Sequence, residues 1–357
     1  MERTSQIPAP FVSIVMPCRN ESAYLDDCLK SILAQDYPRD RIEILVAEGE
    51  STDGTARTLE NAARLDPRIR VVENPDRIQS AGLNRLLAIA RGEVIVRMDA
   101  HCVYAADYVS RCVEALNATG AAAVGGAQRI AARTPFQRAV RATLSSWLGT
   151  AGAPHRSADH EGPVESVFLG AFPRETFTMF GMYDPCASAA EDAELNQRIV
   201  DGGGKLYMSR AIVVHYYPRE TFVGLARQYF NYGKGRARTF LKHGHLLTLR
   251  PTTPFLAAAG LATALVLRPL RRVAAMSIGA YAAVAVFEAF RARSAVGVAG
   301  VPLVASLFAV LHVSHAAGFG IGLARYSLRP DWAAVERSGR GSRGGTFPRA
   351  TRRRTMA

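Results

Sequence analysis

The chain has 357 residues, with 44 Lys and Arg against 31 Asp and Glu and a formal charge of +13. That length allows one large domain or two ordinary ones. The basic excess is confined to the end: residues 251–357 hold 14 Arg, no Lys and three acids, whereas residues 1–250 hold 30 basic and 28 acidic side chains. The first 250 residues therefore lack the basic footprint of a nucleic-acid partner, and the late arginines suit the flanks of membrane segments near anionic lipid.

Strand and helix patterns alternate from the start. Phe11–Met16 reads as a strand, Ser22–Gln35 as a helix, Ile42–Ala47 as a strand, and about Asp53 to Arg64 as a helix. Strand Ile69–Glu73, helix Gln79–Arg91, strand Val94–Met98, helix Ala105–Leu116 and strand Ala121–Gly126 follow. Such alternation with short connections predicts an α/β fold with a parallel sheet and helices on both faces.

Beyond residue 130 the pattern loosens. Pro135–Leu148 has helical spacing, Gly149–Gly162 reads as a loop, and Val167–Phe172 as a short strand or turn. Glu191–Asp201 is a helix opened by acids and closed by Gly202-Gly203-Gly204, as the helix dipole and C-cap preferences direct. Leu206–His215 includes another strand, and Thr221–Lys242 reads as a long basic amphipathic helix.

Three apolar stretches come next: Pro254–Leu267, Val273–Phe290 and Ser294–Ala324. Their lengths straddle the roughly 20 residues that a spanning helix needs. The expected division is a catalytic domain over 1–250, membrane-associated helices over 251–326, and a basic disordered tail over 327–357. The first apolar stretch is expected to be interfacial or re-entrant and the later two to span. Met1–Pro10 is polar and shows no signal-peptide pattern. The five cysteines form no C-x-x-C pair, which suggests a reducing compartment and buried thiols.

Chemistry concentrates where strands end. The run Val94–Met98 breaks into Asp99-Ala100-His101, and ligand crevices of open α/β sheets lie at such strand ends. On an extended backbone, residues i and i+2 point the same way, so Asp99 and His101 would offer one carboxylate and one imidazole to a divalent ion. Pro17-Cys18-Arg19-Asn20-Glu21 closes the first strand and presents Arg19 and Glu21 to the crevice; the same residues could simply start a helix. Glu48 closes the second strand, and the nearby Asp53 is either a nucleoside contact or a helix cap. Neither a Walker loop nor G-x-G-x-x-G follows the first strand, which counts against nucleotide-triphosphatase and dinucleotide-oxidoreductase readings.

The succession PCRNE, EGESTDGT, QSAGLN, RMDAH and AEDAELNQR resembles family 2 glycosyltransferases with the GT-A fold. More narrowly it resembles their succinoglycan-type bacterial exopolysaccharide branch. The resemblance covers about Val12 to Arg250 and implies the following roles. Pro17, Arg19 and Glu21 line a nucleotide pocket, with Glu48 at the base where the family usually has Asp, and Asp53 near it. Ser80, Gly82 and Asn84 lie by the ribose and diphosphate. Asp99 and His101 occupy the D-x-D metal position, where an imidazole favours Mn²⁺ over Mg²⁺. Gly170, in Phe168-Leu169-Gly170-Ala171-Phe172, lies along the donor sugar and acceptor. Asp192, paired with Glu191, is the general base, and His215 is a third metal or diphosphate ligand.

These roles imply an inverting, metal-dependent transfer from a nucleotide-diphosphate sugar, a UDP-hexose, to a lipid-linked polyprenyl-diphosphate saccharide at the cytoplasmic face of the inner membrane. Two competing readings are a sugar-phosphate nucleotidyltransferase and a non-catalytic membrane scaffold. The first would require a Gly-rich basic loop that Pro17–Glu21 does not supply. The second leaves Asp99, Glu191 and Asp192 unexplained.

Overall fold

The computed structural model describes residues 9–150, 152–153 and 156–332. The polar N-terminus up to residue 8 and the arginine-rich tail from 333 lie outside the described residues. The chain begins β1 (Val12–Cys18), α1 (Leu25–Leu33), β2 (Ile42–Glu48), α2 (Thr55–Leu65), β3 (Ile69–Glu73), α3 (Gln79–Ile89) and β4 (Val94–Arg97). It continues β5 (Cys102–Tyr104), α4 (Tyr108–Thr119), β6 (Ala123–Gly126), β7 (Gln128–Ile130), α5 (Pro135–Ser145) and α6 (Trp147–Thr150). Then come β8 (Gly162–Pro163), β9 (Phe168–Pro173), α7 (Arg174–Phe180), α8 (Glu191–Asp201), β10 (Leu206–Met208), β11 (Val214–Tyr216) and α9 (Phe222–His243). The last helices are α10 (Thr253–Val266), α11 (Arg271–Arg291), α12 (Arg293–Val296) and α13 (Val301–Leu328).

The main sheet has the order β3-β2-β1-β4-β9-β6-β10-β8. After β1 the chain runs outward through β2 and β3, then returns to place β4 on the other side of β1 in parallel register, Val12 opposite Val94. The C-terminal ends of β1 and β4 therefore border the crevice where the strand order reverses, the usual ligand position in such sheets. The sheet is mixed rather than wholly parallel, because β9 runs antiparallel between β4 and β6 and β8 is antiparallel to β10.

Strand parity sorts the core. Ile14, Met16, Ile44, Val46 and Val96 face α1, α2 and α4, whereas Val15, Leu45, Ala47 and Ile95 face α3 and α8. This alternation is the period-2 geometry of a strand covered on both sides. Arg97 shares its parity with Ile95 and so falls on the α8 face.

Leu206–His215 is not one strand. It holds β10, in the main sheet, and β11, which joins a separate three-stranded sheet of order β5-β11-β7. The expected helix Pro135–Leu148 breaks at Ser146 into α5 and α6. Thr134 and Gln137 form a capping box at the start of α5, which fixes its entry.

The apolar segments form α10, α11 and α13. Two stretches, Arg268–Arg291 and Val298–Leu328, are long and apolar enough to cross a membrane. With 14 residues, α10 is too short, since each helical residue advances about 1.5 Å. The stretch Ser294–Ala324 divides at Gly297, whose φ of +73° ends α12 in a conformation that favours glycine.

These helices are not separate from the rest of the chain. Val304, Leu307, Phe308 and Leu311 of α13 share a core with Ala139, Val140 and Leu144 of α5 and Leu225 of α9. Further along, a Cβ on Gly318 would lie 1.9 Å from the Phe230 carbonyl oxygen, and one on Gly233 would lie 2.1 Å from that of His315. The two helices meet backbone to backbone, a closeness only small residues permit. From Leu225 beside Val304 and Leu311 to Ala237 against Gly322, contacts advance in the same direction along both, so α9 and α13 run parallel.

Candidate active site

Four chain segments deliver charged or strained residues to the C-terminal edge of the sheet. Positive φ angles of 50–65° occur at Asn20 after β1, Glu50 after β2, Leu169 in β9 and Ala190 before α8. Non-glycine residues in this conformation carry a local cost of about 1 kcal/mol or more and gather at functional sites.

The β1 and β2 ends form one interlocked unit. The Glu48 carboxylate accepts from the backbone N–H of Glu50 at 2.9 Å and of Ser51 at 2.8 Å. Asp53 accepts from the Ser22 N–H at 3.1 Å and from the Thr55 hydroxyl at 2.6 Å. Burial alone would raise the Asp53 carboxyl, but these donors outweigh it and hold the group at about 2. Gly54, with φ +93°, is the N-cap residue of α2; Asp53 instead ties that helix start to the loop after β1. Gly49 passes so close to Arg19 that a Cβ would sit 3.1 Å from its side chain. Pro17 lies in β1, paired with Ala47 of β2.

The QSAGLN segment forms the first turns of α3, and most of its side chains serve packing. Ser80 donates to the Ala187 carbonyl at 3.0 Å and Asn84 to the Tyr183 carbonyl at 2.8 Å. A Cβ on Gly82 would meet Asn74 at 2.8 Å and Ala47 at 3.1 Å. Together they clamp α3 between β2 and the segment leading into α8. Gln79 is the member that faces the crevice, with its Nε2 3.4 and 3.5 Å from the two Asp99 oxygens.

At the centre stands Arg97, a cation 4% exposed at the end of an apolar strand. Its Nε lies 3.2 Å from Asp99 Oδ1, and its Nη2 donates to Glu191 Oε1 at 2.9 Å. One guanidinium therefore joins the end of β4 to the first turn of α8. Burial opposes its charge, but Asp99 and Glu191 more than offset that and raise its pKa well above the ordinary value. Burial, helped by the adjacent Asp192 charge, pushes the Glu191 carboxyl up against the pull of Arg97. Asp192 is half-buried beside this bridge, and its Oδ1 accepts from the Ala193 N–H at 2.7 Å. Arg97 was not among the residues singled out from sequence, although a charge within a buried strand run was the signal.

Asp99 does not sit on an extended backbone. The Cys102 N–H donates to the Asp99 carbonyl at 3.1 Å, so Asp99–Cys102 is a turn and the i, i+2 strand argument fails. The turn still brings His101 to the crevice, where its Nδ1 lies 3.0 Å from Glu21 Oε1 and its ring packs edge-on against Tyr216. With Nδ1–H donating to Glu21, Nε2 keeps its lone pair, the arrangement in which a carboxylate orients a metal-ligating imidazole. Asp99 has only long contacts to Arg97 and Gln79, so its oxygens retain acceptor capacity. One carboxylate and one imidazole beside a substrate diphosphate fit a Mn²⁺ or Mg²⁺ ion, which needs few protein ligands when phosphates complete its shell.

His215 does not join them. It is exposed on β11, on the face opposite Tyr216, and Tyr216 is the residue turned toward His101. Strand parity thus removes it from the metal position. Burial and the neighbouring Arg129 charge lower its pKa. Among the described residues no three His, Cys, Asp or Glu side chains converge as a metal cage.

Gly170 has φ +98° and follows Leu169 at +62°. A Cβ on Gly170 would meet the Phe172 ring at 2.7 Å, so both conformation and space require glycine here. This strained turn shares β9 with Ala171, which pairs with Val96 one residue before Arg97.

The family model for glycosyl transferase family 2 matches residues 13–175. The succinoglycan biosynthesis protein ExoA of Rhizobium meliloti is 36% identical over 312 residues, covering 86% of this chain and 93% of that protein. A second relative comes from Methanococcus voltae, a dolichyl N-acetyl-alpha-D-glucosaminyl phosphate 3-beta-D-2,3-diacetamido-2,3-dideoxy-beta-D-glucuronosyltransferase. It is 25% identical, with 63% of this chain and 73% of that one covered. Among solved structures, the mannosyltransferase PcManGT from Pyrobaculum calidifontis, in complex with GDP-Man and Mn²⁺, superposes with a TM-score of 0.55. That match has 21% identity over 90% of this chain and 88% of that one. The mixed sheet, the crevice at its strand reversal and the E-D pair opening α8 are thus found on a chain that belongs to glycosyltransferase family 2, with the GT-A fold.

Proposed function

We infer that the protein transfers a hexose from a nucleotide-diphosphate sugar, with inversion, to a lipid-linked saccharide at the membrane surface. The observation that carries this reading is the Arg97 bridge. It ties Asp99, at the metal position, to Glu191, the neighbour of Asp192, within one buried cluster.

The Pro17–Glu21 and Glu48–Thr55 loops bind the nucleoside. Asp99, with Nε2 of His101, would hold a divalent ion, which when bound neutralises charge on the departing diphosphate. Asp192 accepts the proton of an acceptor hydroxyl as that oxygen attacks the anomeric carbon from the face opposite the leaving group. Glu191 stays clamped by Arg97 and fixes the start of α8, so the carboxylate next to it is held in place. One base and one displacement give inversion, so an α-linked donor yields a β-glycoside.

The acceptor is read from the apolar helices and from relatives whose names specify succinoglycan biosynthesis and a dolichyl-phosphate sugar. In this reading α11 and α13 anchor the chain in the inner membrane, α10 lies in the interface, and the catalytic domain faces the cytoplasm. The donor is a UDP-sugar, with GDP-sugars the comparison set by Glu48 in place of Asp. Membranes containing the full chain, supplied with Mn²⁺, a lipid extract and each nucleotide-sugar in turn, test this. Release of one nucleoside diphosphate together with a β-linked product on lipid supports the reading. An α-linked product from an α-linked donor, or pyrophosphate in place of nucleoside diphosphate, refutes it.

A further inference from the structure

The donor and base leave one group of cations unused. Tyr229, Tyr232 and Arg236 recur along one face of α9 at i, i+3 and i+7, the spacing of helical neighbours. Arg236 is half-buried and makes no hydrogen bond or ion pair among the described residues, although Asp192, Glu165 and Tyr232 are the groups that act on its charge. Burial wins at this side chain and lowers its pKa, the sign of a guanidinium short of a counter-ion.

Across from it Arg156 approaches Tyr229 and Tyr232, and its Nη1 is fully buried without a partner among the described residues. His315 of α13 presents a second such atom, Nδ1, also buried and without a partner among the described residues. Buried donors are nearly always satisfied in folded proteins, and each one left open costs about 1–3 kcal/mol. Two such buried nitrogens and the half-buried, unpaired Arg236 guanidinium around one space call for an anion with several acceptor oxygens.

Position identifies the source of that anion. One side of the space is Asp192, the base, so a ligand here lies next to the reacting hydroxyl. The other is α13, which touches α9 backbone to backbone at Gly233 and Gly318. From there Val313 and Ile321 expose apolar surface outward, at 66% and 53%. An anion held here has a saccharide on one side and hydrocarbon on the other. The donor diphosphate belongs elsewhere, because Asp99 is partnered by Arg97 and Gln79 and not by this group.

We propose that Arg156 and Arg236, with the Tyr229 and Tyr232 hydroxyls and His315, bind the phosphate of the lipid-linked acceptor. This rests on the transferase reading for its purpose, but the anion site can be tested without turnover. Farnesyl diphosphate serves as a short lipid-diphosphate probe, farnesol as its uncharged counterpart, and inorganic pyrophosphate as the headgroup without lipid. Binding of each to the detergent-solubilised full chain is measured for wild type, Arg236→Gln, Arg236→Lys and Arg156→Ala, with binding of UDP and GDP followed in parallel.

The expected result is that farnesyl diphosphate binds at least about 10-fold more tightly than farnesol or pyrophosphate. Arg236→Gln and Arg156→Ala each lose roughly 10- to 100-fold, the range of one charge-assisted hydrogen bond. Arg236→Lys loses less, and nucleoside diphosphate affinity stays within about twofold in all three, which also shows that they fold. Equal binding of farnesyl diphosphate by wild type and both neutral variants overturns the proposal, as does no binding by wild type. Pyrophosphate binding as tightly as the lipid would overturn the lipid assignment in favour of a free-phosphate site. If the arginine-dependent lipid site is found but neither nucleotide binds, the transferase reading fails and the anion site stands.

Discussion

The two sides of the crevice satisfy their charges in different ways. On the nucleotide side, Glu48 and Asp53 are saturated by backbone and hydroxyl donors from their own and neighbouring loops. On the transfer side, Asp99 and Glu191 depend on one guanidinium, Arg97, and Arg236 has no hydrogen-bond partner among the described residues. Short loops can complete a pocket for a ligand that always binds in the same pose. Charges that neutralise one another only in part leave capacity for a substrate that arrives, reacts and departs.

The sharpest way to break this contrast is Arg97→Met. It removes the single counter-charge from two buried carboxylates, so stability should fall by about 3–5 kcal/mol, the cost of breaking a buried pair from one side. Thermal unfolding of the full chain checks this. Arg97→Lys should recover part of the loss, and an unchanged melting temperature in Arg97→Met would show that the bridge is incidental.

Next in size is the metal position. His101→Ala should raise the Mn²⁺ concentration for half-maximal transfer about 10- to 100-fold, and Glu21→Gln less, since Glu21 acts through the imidazole. Titration of activity with Mn²⁺ and with Mg²⁺ separates the two, and no change in either would remove His101 from the ion. His215→Ala should leave both titrations unaltered.

Acid sharpens the contrast at a second charged cluster. Glu194 is held by His243, Lys242 and Arg198, and Asp184 by Lys242 and Arg238. Arg238 also reaches Asp331 beyond α13 at 2.7 Å. Burial opposes both carboxylates, but these cations outweigh it and hold both below the usual range. Folded values below unfolded ones mean stability that is complete above the ordinary carboxylate pKa, about 4, and is lost as pH falls through the folded values. Unfolding midpoints should be level above about pH 5 and decline below it. Glu194→Gln should flatten that decline.

The smallest effect is at the nucleotide side. Asp53→Ala removes a local clasp that backbone donors can partly replace with water, so about 1 kcal/mol of stability should be lost. Nucleotide affinity should change by only a few-fold.

How much of this was legible in the sequence follows from how local each determinant is. The strands Ile42–Ala47, Ile69–Glu73 and Val94–Met98, and the acid-opened helix Glu191–Asp201, match the structure to within a residue because each carries its own pattern. The three-residue strands β5, β7 and β11 carry no such pattern and exist only by pairing across long separations. The face that His215 takes is hidden for the same reason, since it depends on β11 pairing with β5 and β7. The D-x-H motif was legible as residues, yet its geometry is a turn. The Arg97 bridge spans 94 residues and no local rule announces it, apart from a charge where a strand core should be apolar.

The central claim is that Asp192 moves the proton while the donor side binds independently of it. The most direct measurement pairs nucleoside diphosphate affinity with single-turnover transfer in Asp192→Asn. Affinity within about twofold of wild type and transfer slowed by about 100-fold or more, the range for loss of a general base, are the results expected. Transfer at the wild-type rate in a variant that binds nucleotide normally would contradict the account.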